Sequence, residues 1–393
     1  MTPGTSETTR TPRSRVLGGL DLRGRVLVGR YRLDEVAGCG GTAIVYAGRD
    51  ILLERRVAVK VFHPEHARSE AQRRRIRREA RLLAHLDHPH IVPLLDFGEE
   101  PQRLLAAGAS PQIGHAGLVS AGDPLVFLVM PLLRAPTLRD LVLAGTLPWP
   151  RALGLVRQLL KAVAALHRRG VLHRDLKSQN CLVTRRGDRD HLFLLDLGLA
   201  RVTAPDLVSS GSGRPSVSPP GTGAVVGTLA YLAPEQARGN SVDERADLYA
   251  VGVILFELLT RRVPFTGSDY AVLKGHVEVE PPTPSRVAPP AGIPQEIDGI
   301  VRRALAKDPD QRYASADEFT AALAPLLDES SIEKPDGPAC RVPEHAGCED
   351  AQAALAAWTR FENTAAHRAA DAAMRGDRAW SPLALMLRVL TQE

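Results

Sequence analysis

An α+β fold is predicted, with a small antiparallel sheet leading into a larger, mainly helical half. β-Branched runs at 31–36, 44–46 and 56–62 surround a glycine cluster, as strands joined by tight turns do. One helical stretch, 70–86, separates these from two further strand patterns at 91–97 and 125–130. Within it Ile76, Ala80 and Leu83 recur at helical spacing, while Arg73, Arg74, Arg75, Arg77, Arg78 and Arg81 mostly fall elsewhere. After Leu138 the spacing is helical at 138–143, 151–169, 241–260, 296–306 and 316–327.

The flanks have a different texture. Residues 1–27 combine Thr, Ser, Pro, Gly and Arg without an apolar period and read as a flexible basic arm. Segments 101–124 and 202–223 have loop composition, and the second is expected to be mobile. A linker at 329–350 leads to a helical appendage at 351–393. There Leu355, Trp358 and Phe361 share a face suited to packing on the chain's own helices, or to docking a partner or second copy. The folded domain is therefore expected at 28–328, with a first part ending near 130 and a second starting near 134.

Composition narrows the function classes. With 393 residues, 44% hydrophobic and 24% charged, the chain is unlike a disordered, collagen-like or disulfide-scaffold protein. Its longest apolar stretch, 248–259, holds Gly252 and Glu257 and is too short to span a bilayer, and residues 1–30 lack a secretory apolar core. Cys39, Cys181, Cys340 and Cys348 make no dense disulfide framework, so a cytoplasmic location is expected. Cys340, His345 and Cys348 are too few and too widely spaced to read as a closed metal site rather than linker. The net charge of +5 comes mostly from residues 1–30, which carry six Arg against Glu7 and Asp21, so no nucleic-acid partner is expected.

Chemistry gathers along one ordered set of motifs. Gly38-Cys39-Gly40-Gly41 sits between two strand patterns, where missing side chains let backbone N–H groups approach phosphate oxygens; alone, such a cluster is more often just a tight turn. Val57-Ala58-Val59-Lys60 then places a lysine on an alternating strand, where it needs a partner. Glu79 lies inside the apolar stripe of the 70–86 helix, and a carboxylate there needs a cation unless it snorkels at the stripe's edge. Lys60 would satisfy both by bridging Glu79 and nucleotide phosphates. His173-Arg174-Asp175-Leu176-Lys177-Ser178-Gln179-Asn180 combines carboxylate, cation and amide as phosphoryl transfer requires. Asp196-Leu197-Gly198 follows an apolar run and supplies a second carboxylate able to hold a divalent cation, and Ala233-Pro234-Glu235 closes the series.

On these motifs the chain resembles the eukaryotic-like Ser/Thr protein kinases of bacteria, from Gly38 to Arg312, about three quarters of its length. The resemblance implies a bilobal protein-kinase fold, ATP with Mg²⁺ (Mn²⁺ as a substitute), and transfer of the γ-phosphoryl group to Ser/Thr hydroxyls of protein substrates. Asp175 would orient the acceptor hydroxyl and take its proton, Lys177 would steady the γ-phosphoryl, and Asn180 and Asp196 would bind the metal. Backbone donors of Gly38, Cys39, Gly40, Gly41, Thr42 and Ala43 would cover the phosphates. Ala37, Val45, Ala58 and Leu182 would sandwich the adenine, with Met130 as gatekeeper and the backbone of Pro131 and Leu133 as hinge. Proline lacks an N–H, but at Pro131 only an acceptor is needed.

Departures from the family pattern are Ala43 for the third loop glycine and Leu197 for the usual Phe. Neither removes a catalytic group. Cys39 at the loop tip reads as a small residue tolerated in a turn, or as a thiol open to oxidation or alkylation. Arg174 would meet a phosphate on Thr222, giving activation by autophosphorylation, with Ser209, Ser210, Ser212, Ser216 and Ser218 as weaker sites. Thr228 would bond Asp175 and Lys177 and, with Lys177, favours Ser/Thr over Tyr. Glu235 would pair with Arg312 as a buried structural ion pair. Gln179 replaces the acidic residue by which basophilic kinases select arginine. A catalytically silent nucleotide-binding scaffold should lack a counterpart of Lys60, Asp175 or Asp196, and a small-molecule phosphotransferase should lack Gly227-Thr228 and Ala233-Pro234-Glu235; this chain has all of them.

Overall fold

The structure, a computed structural model, describes residues 21–101, 124–145, 147–187, 189–195 and 229–327. Apart from Pro131–Arg134, which group separately, these residues belong to one compact unit, described below.

The first part is a six-stranded sheet. Its strands are β1 (Val26–Leu27), β2 (Tyr31–Cys39), β3 (Ala43–Asp50), β4 (Arg55–Phe62), β5 (Asp96–Glu100) and β6 (Leu125–Pro131), in spatial order β1-β2-β3-β4-β6-β5. Antiparallel register pairs Ala47 with Ala58, Val45 with Lys60 and Ala43 with Phe62. Directly opposite residues share a face, so these side chains line one side of the sheet. Ile44, Tyr46, Val57, Val59 and Val61 take the other side and close a core with Tyr31 and Phe127. Each apolar side chain of this size stabilises by roughly 1.5–3 kcal/mol when fully buried.

Helix α1 (Glu70–Ala84) connects β4 to β5. Ser69 starts it with a capping box: its hydroxyl accepts the Gln72 N–H at 3.1 Å, and the Gln72 side chain accepts the Ser69 N–H at 2.9 Å. The stripe Ile76, Ala80 and Leu83 is the buried face, as its spacing dictates.

The second part holds α2 (Leu138–Ala144), α3 (Trp149–His167), the hairpin β7 (Cys181–Arg186) with β8 (Arg189–Leu194), α4 (Pro234–Arg238), α5 (Glu244–Thr260), α6 (Asp269–Glu278), α7 (Pro284–Val287), α8 (Gln295–Ala304) and α9 (Ala316–Leu323). Helix α5 is the central rod. It is apolar on nearly all sides, and it is buried continuously from Ala246 to Leu259. Gly252 lets it approach α8: a Cβ there would stand 2.7 Å from the Ala304 Cβ. Among the described residues no helix is long and apolar enough to cross a membrane.

Several expectations shift. Packing starts before residue 28, since Leu22 and Leu27 are fully buried. The strand expected at 91–97 forms instead at Asp96–Glu100, because Ile91 is taken by a parallel bridge to Leu194 of the hairpin. Strand β7 and helix α6 had no sequence signal strong enough to be read. The arm at 1–20, most of the 101–124 insertion, the 202–223 loop and the C-terminal linker and appendage lie outside the described residues.

Candidate active site

Strand pairing places Ala43, Val45, Ala58 and Lys60 on a single sheet face. Lys60 is nearly buried, its ammonium 5.9 Å from the centre of the Phe62 ring. Gly38 and Cys39 end β2, and residues 40–42 make the turn into β3, closed by a 2.9 Å bond from the Gly40 N–H to the Ala43 carbonyl. The Cys39 thiol is exposed and free. Met130 and Pro131 are the last residues of β6, and Leu133 lies in the irregular link that follows. Leu182, on β7, is 8% exposed.

The segment between α3 and β7 carries the densest polar chemistry. Lys177 Nζ donates to Asp175 Oδ2 at 2.8 Å, forming an ion pair. Asn180 Nδ2 donates to the Asp175 carbonyl at 2.9 Å, which turns the amide oxygen the opposite way. A one-turn 3₁₀ helix, Ser178–Asn180, fixes this spacing, and the Leu195 N–H on the Asn180 carbonyl at 2.7 Å ties it to the end of β8.

Asp247 anchors this segment from below. Buried inside α5, it accepts the backbone N–H groups of His173 and Arg174 at 2.8 Å each and a bond from His167 Nε2 at 2.9 Å. Burial works against its charge, but these donors hold its carboxyl below the ordinary value. Sequence reasoning missed Asp247. It stands in the charged first turn of α5 with Asp243 and Glu244, just before the apolar run, so its residue type alone did not mark it as buried.

A second buried network was also missed. Ser178 Oγ and Tyr231 OH are 2.9 Å apart, Tyr231 OH donates to Glu257 Oε2 at 2.7 Å, and Arg139 Nη1 donates to Glu257 Oε1 at 2.6 Å. It links the 173–180 segment to the residues before α4 and to α2. Nearby, Arg312 and Glu235 form two bonds of 2.8 Å each, with Arg312 also donating to the carbonyls of Ala306, Arg245 and Lys307.

One expected contact is replaced. Glu79 pairs with Arg75, one turn earlier on its own helix, at 3.9 Å, and not with Lys60. Burial pushes the Glu79 carboxyl up to about 7, against the lowering pull of Arg75, Arg174 and Arg78. The physical reason is local: α1 offers arginines on both sides of Glu79, so the carboxylate has cations without reaching the sheet. Asp196, Thr222 and Thr228 lie outside the described residues, as do Leu197 and Gly227. Among the described residues no group of three or more His, Cys, Asp or Glu could hold a metal ion.

A sheet with a glycine turn and an embedded lysine, followed by a helical part presenting Asp175, Lys177 and Asn180, defines a protein kinase, α+β and bilobal. The chain belongs to the protein kinase domain family, which matches residues 31–323. It is 40% identical over 306 residues to a probable serine/threonine-protein kinase of Streptomyces coelicolor, covering 77% of this chain and 41% of that protein. Over 315 residues it is 33% identical to serine/threonine-protein kinase PrkC of Bacillus subtilis, covering 80% and 43% respectively. The chain thus spans less than half the length of these curated relatives. Among solved structures, the PknI kinase domain of Mycobacterium tuberculosis superposes with a TM-score of 0.54 at 25% identity, covering 78% of this chain and 99% of that one.

Proposed function

We propose that this chain is an ATP-dependent Ser/Thr protein kinase. The observation that carries the reading is the 2.8 Å pair of Lys177 and Asp175 with Asn180 fastened to the same Asp175. Asp175 accepts the proton of the acceptor Ser or Thr hydroxyl as its oxygen bonds to the γ-phosphorus, and the ADP oxygen leaves. Lys177 offers its charge to the transferring phosphoryl oxygens. Lys60 meets the α- and β-phosphates, under the backbone donors of the glycine turn.

A divalent cation fits the donor set. Asn180 has its Nδ2 committed to Asp175, which leaves its amide oxygen for a hard cation, and Asp196 supplies the carboxylate. We infer Mg²⁺ as the resident ion, with Mn²⁺ as a substitute; bound there, it neutralises phosphate charge.

Regulation is read through Arg174. A phosphate on Thr222 would give Arg174 an anion to meet in charge-assisted hydrogen bonds and would hold Thr228 against Asp175 and Lys177. Autophosphorylation of Thr222 is therefore the proposed activating step. Labelled-ATP incorporation by the full chain, with phosphosites mapped by mass spectrometry, tests both the chemistry and this site.

A further inference from the structure

Two imidazoles reach the glycine turn from the segment after β4. His63 Nε2 lies 3.0 Å from the Gly40 carbonyl oxygen, and His66 Nε2 lies 3.3 Å from that of Gly41. A carbonyl oxygen only accepts, so each of these ring nitrogens carries the hydrogen.

Peptide planarity gives the contacts a consequence. The described peptide bonds include no cis form, and in a trans peptide the C=O and the N–H point in opposite directions. Anchoring the Gly40 and Gly41 oxygens therefore turns the Gly41 and Thr42 N–H groups away from the histidines. Other polar groups of the turn are already engaged: the Gly40 N–H bonds the Ala43 carbonyl, and the His63 N–H bonds the Thr42 carbonyl, both at 2.9 Å. Among the described residues, neither the Gly41 nor the Thr42 N–H has an acceptor. His63 continues the extended backbone of β4, with φ −61° and ψ 139°, so alternation puts it on the face opposite Lys60 and Phe62. The Gly41 N–H is thus turned toward the Lys60 face, and the Thr42 N–H away from His66.

We propose that His63 and His66 are positioning residues of the glycine turn. They hold its peptide planes so that the Gly41 and Thr42 N–H groups meet phosphate oxygens of a bound nucleoside triphosphate. The proposal rests on the reading of this chain as an ATP-dependent kinase. Gly40 and Gly41 leave the turn few side-chain contacts of its own, and adjacent N–H groups form an anion-binding concavity only when their planes are fixed.

Calorimetric binding of ATP and of adenosine to the full chain, beside KM and kcat, separates positioning from mere structure. The His63→Ala/His66→Ala double variant should bind ATP roughly three- to tenfold more weakly, as expected for weakened hydrogen bonds, with adenosine affinity unchanged. KM for ATP should rise by a similar factor with little change in kcat, and His63→Gln with His66→Gln, which keep a side-chain N–H, should recover part of the loss. Unchanged ATP affinity, or equal loss for ATP and adenosine, overturns the positioning role while leaving the kinase reading intact. A wild-type chain that binds no ATP overturns both.

Discussion

Arg174 holds a left-handed backbone, φ 61°, and donates its N–H to Asp247 Oδ1 at 2.8 Å. For a residue with a Cβ, that conformation costs about 1–2 kcal/mol, so something must fix it. Asp247 does so while also accepting the His173 N–H, and the Asp175 that follows is thereby aimed by a carboxylate on a buried helix.

Removing that anchor should therefore cost both stability and rate. Asp247→Ala leaves two backbone donors without their acceptor, a loss on the order of 2–5 kcal/mol, visible as a lower urea midpoint. Phosphoryl transfer should fall further at temperatures where the variant is still folded. The folded carboxyl sits below its ordinary value, so its contribution is complete above the unfolded value near pH 4 and fades as pH drops through the folded one. Acid unfolding of Asp247→Asn should accordingly be less pH-dependent than that of wild type. An unchanged urea midpoint for Asp247→Ala would contradict the anchoring role.

Glu79 has the opposite sign. Its carboxyl is raised from 4.5 to about 7, so the folded state binds the proton more readily than the unfolded state does. Stability should fall as pH rises between those values, and Glu79→Gln should melt higher than wild type at pH 8 but not at pH 5. Activity should move the other way, because pairing with Lys60 needs the ionised carboxylate. A glutamine variant that is less stable than wild type at pH 8 would refute the burial argument.

The Glu235–Arg312 pair is buried, with Arg312 2% exposed and Glu235 6% exposed. Breaking it from one side should destabilise by about 3–5 kcal/mol. Arg312→Met should cost more than Glu235→Gln, since it also abandons three backbone carbonyls. The double replacement should cost less than the sum of the single ones in a thermal-melt cycle.

Much of this was legible in the order of motifs and in periodicity. Ile76, Ala80 and Leu83 declared the buried face of α1, and the alternation through Val57, Ala58, Val59 and Lys60 put the lysine on the sheet face it occupies. Pairings that depend on where a helix settles were not legible: Glu79 has Arg75 within reach of its own helix, and spacing alone gives no preference between that cation and Lys60. Asp247 escaped notice because its donors are backbone groups of His173 and Arg174, which leave no residue-type signature. Strand β7 escaped too, as Thr184-Arg185-Arg186 interrupts its apolar pattern.

Thr222 can be tested by its kinetics. Phosphate there adds roughly −1.5 to −2 charge for Arg174 to meet, so unphosphorylated enzyme should show a lag followed by acceleration. Thr222→Ala should flatten that lag and lower peptide phosphorylation, whereas Ser209→Ala and Ser216→Ala should do little. Active enzyme with Thr222 unmodified by mass spectrometry would end the activation scheme.

The most direct measurement is transfer of labelled γ-phosphate from ATP with Mg²⁺ to the chain itself and to Ser/Thr peptides, comparing wild type with Asp175→Asn. That variant removes the proton acceptor without opening a cavity, so its thermal melt should match wild type closely enough for folded enzyme to be compared with folded enzyme. Label on Ser and Thr from the wild type, and none above background from Asp175→Asn, is the predicted result. Equal incorporation by both proteins, or none by wild type that demonstrably binds ATP, would contradict it.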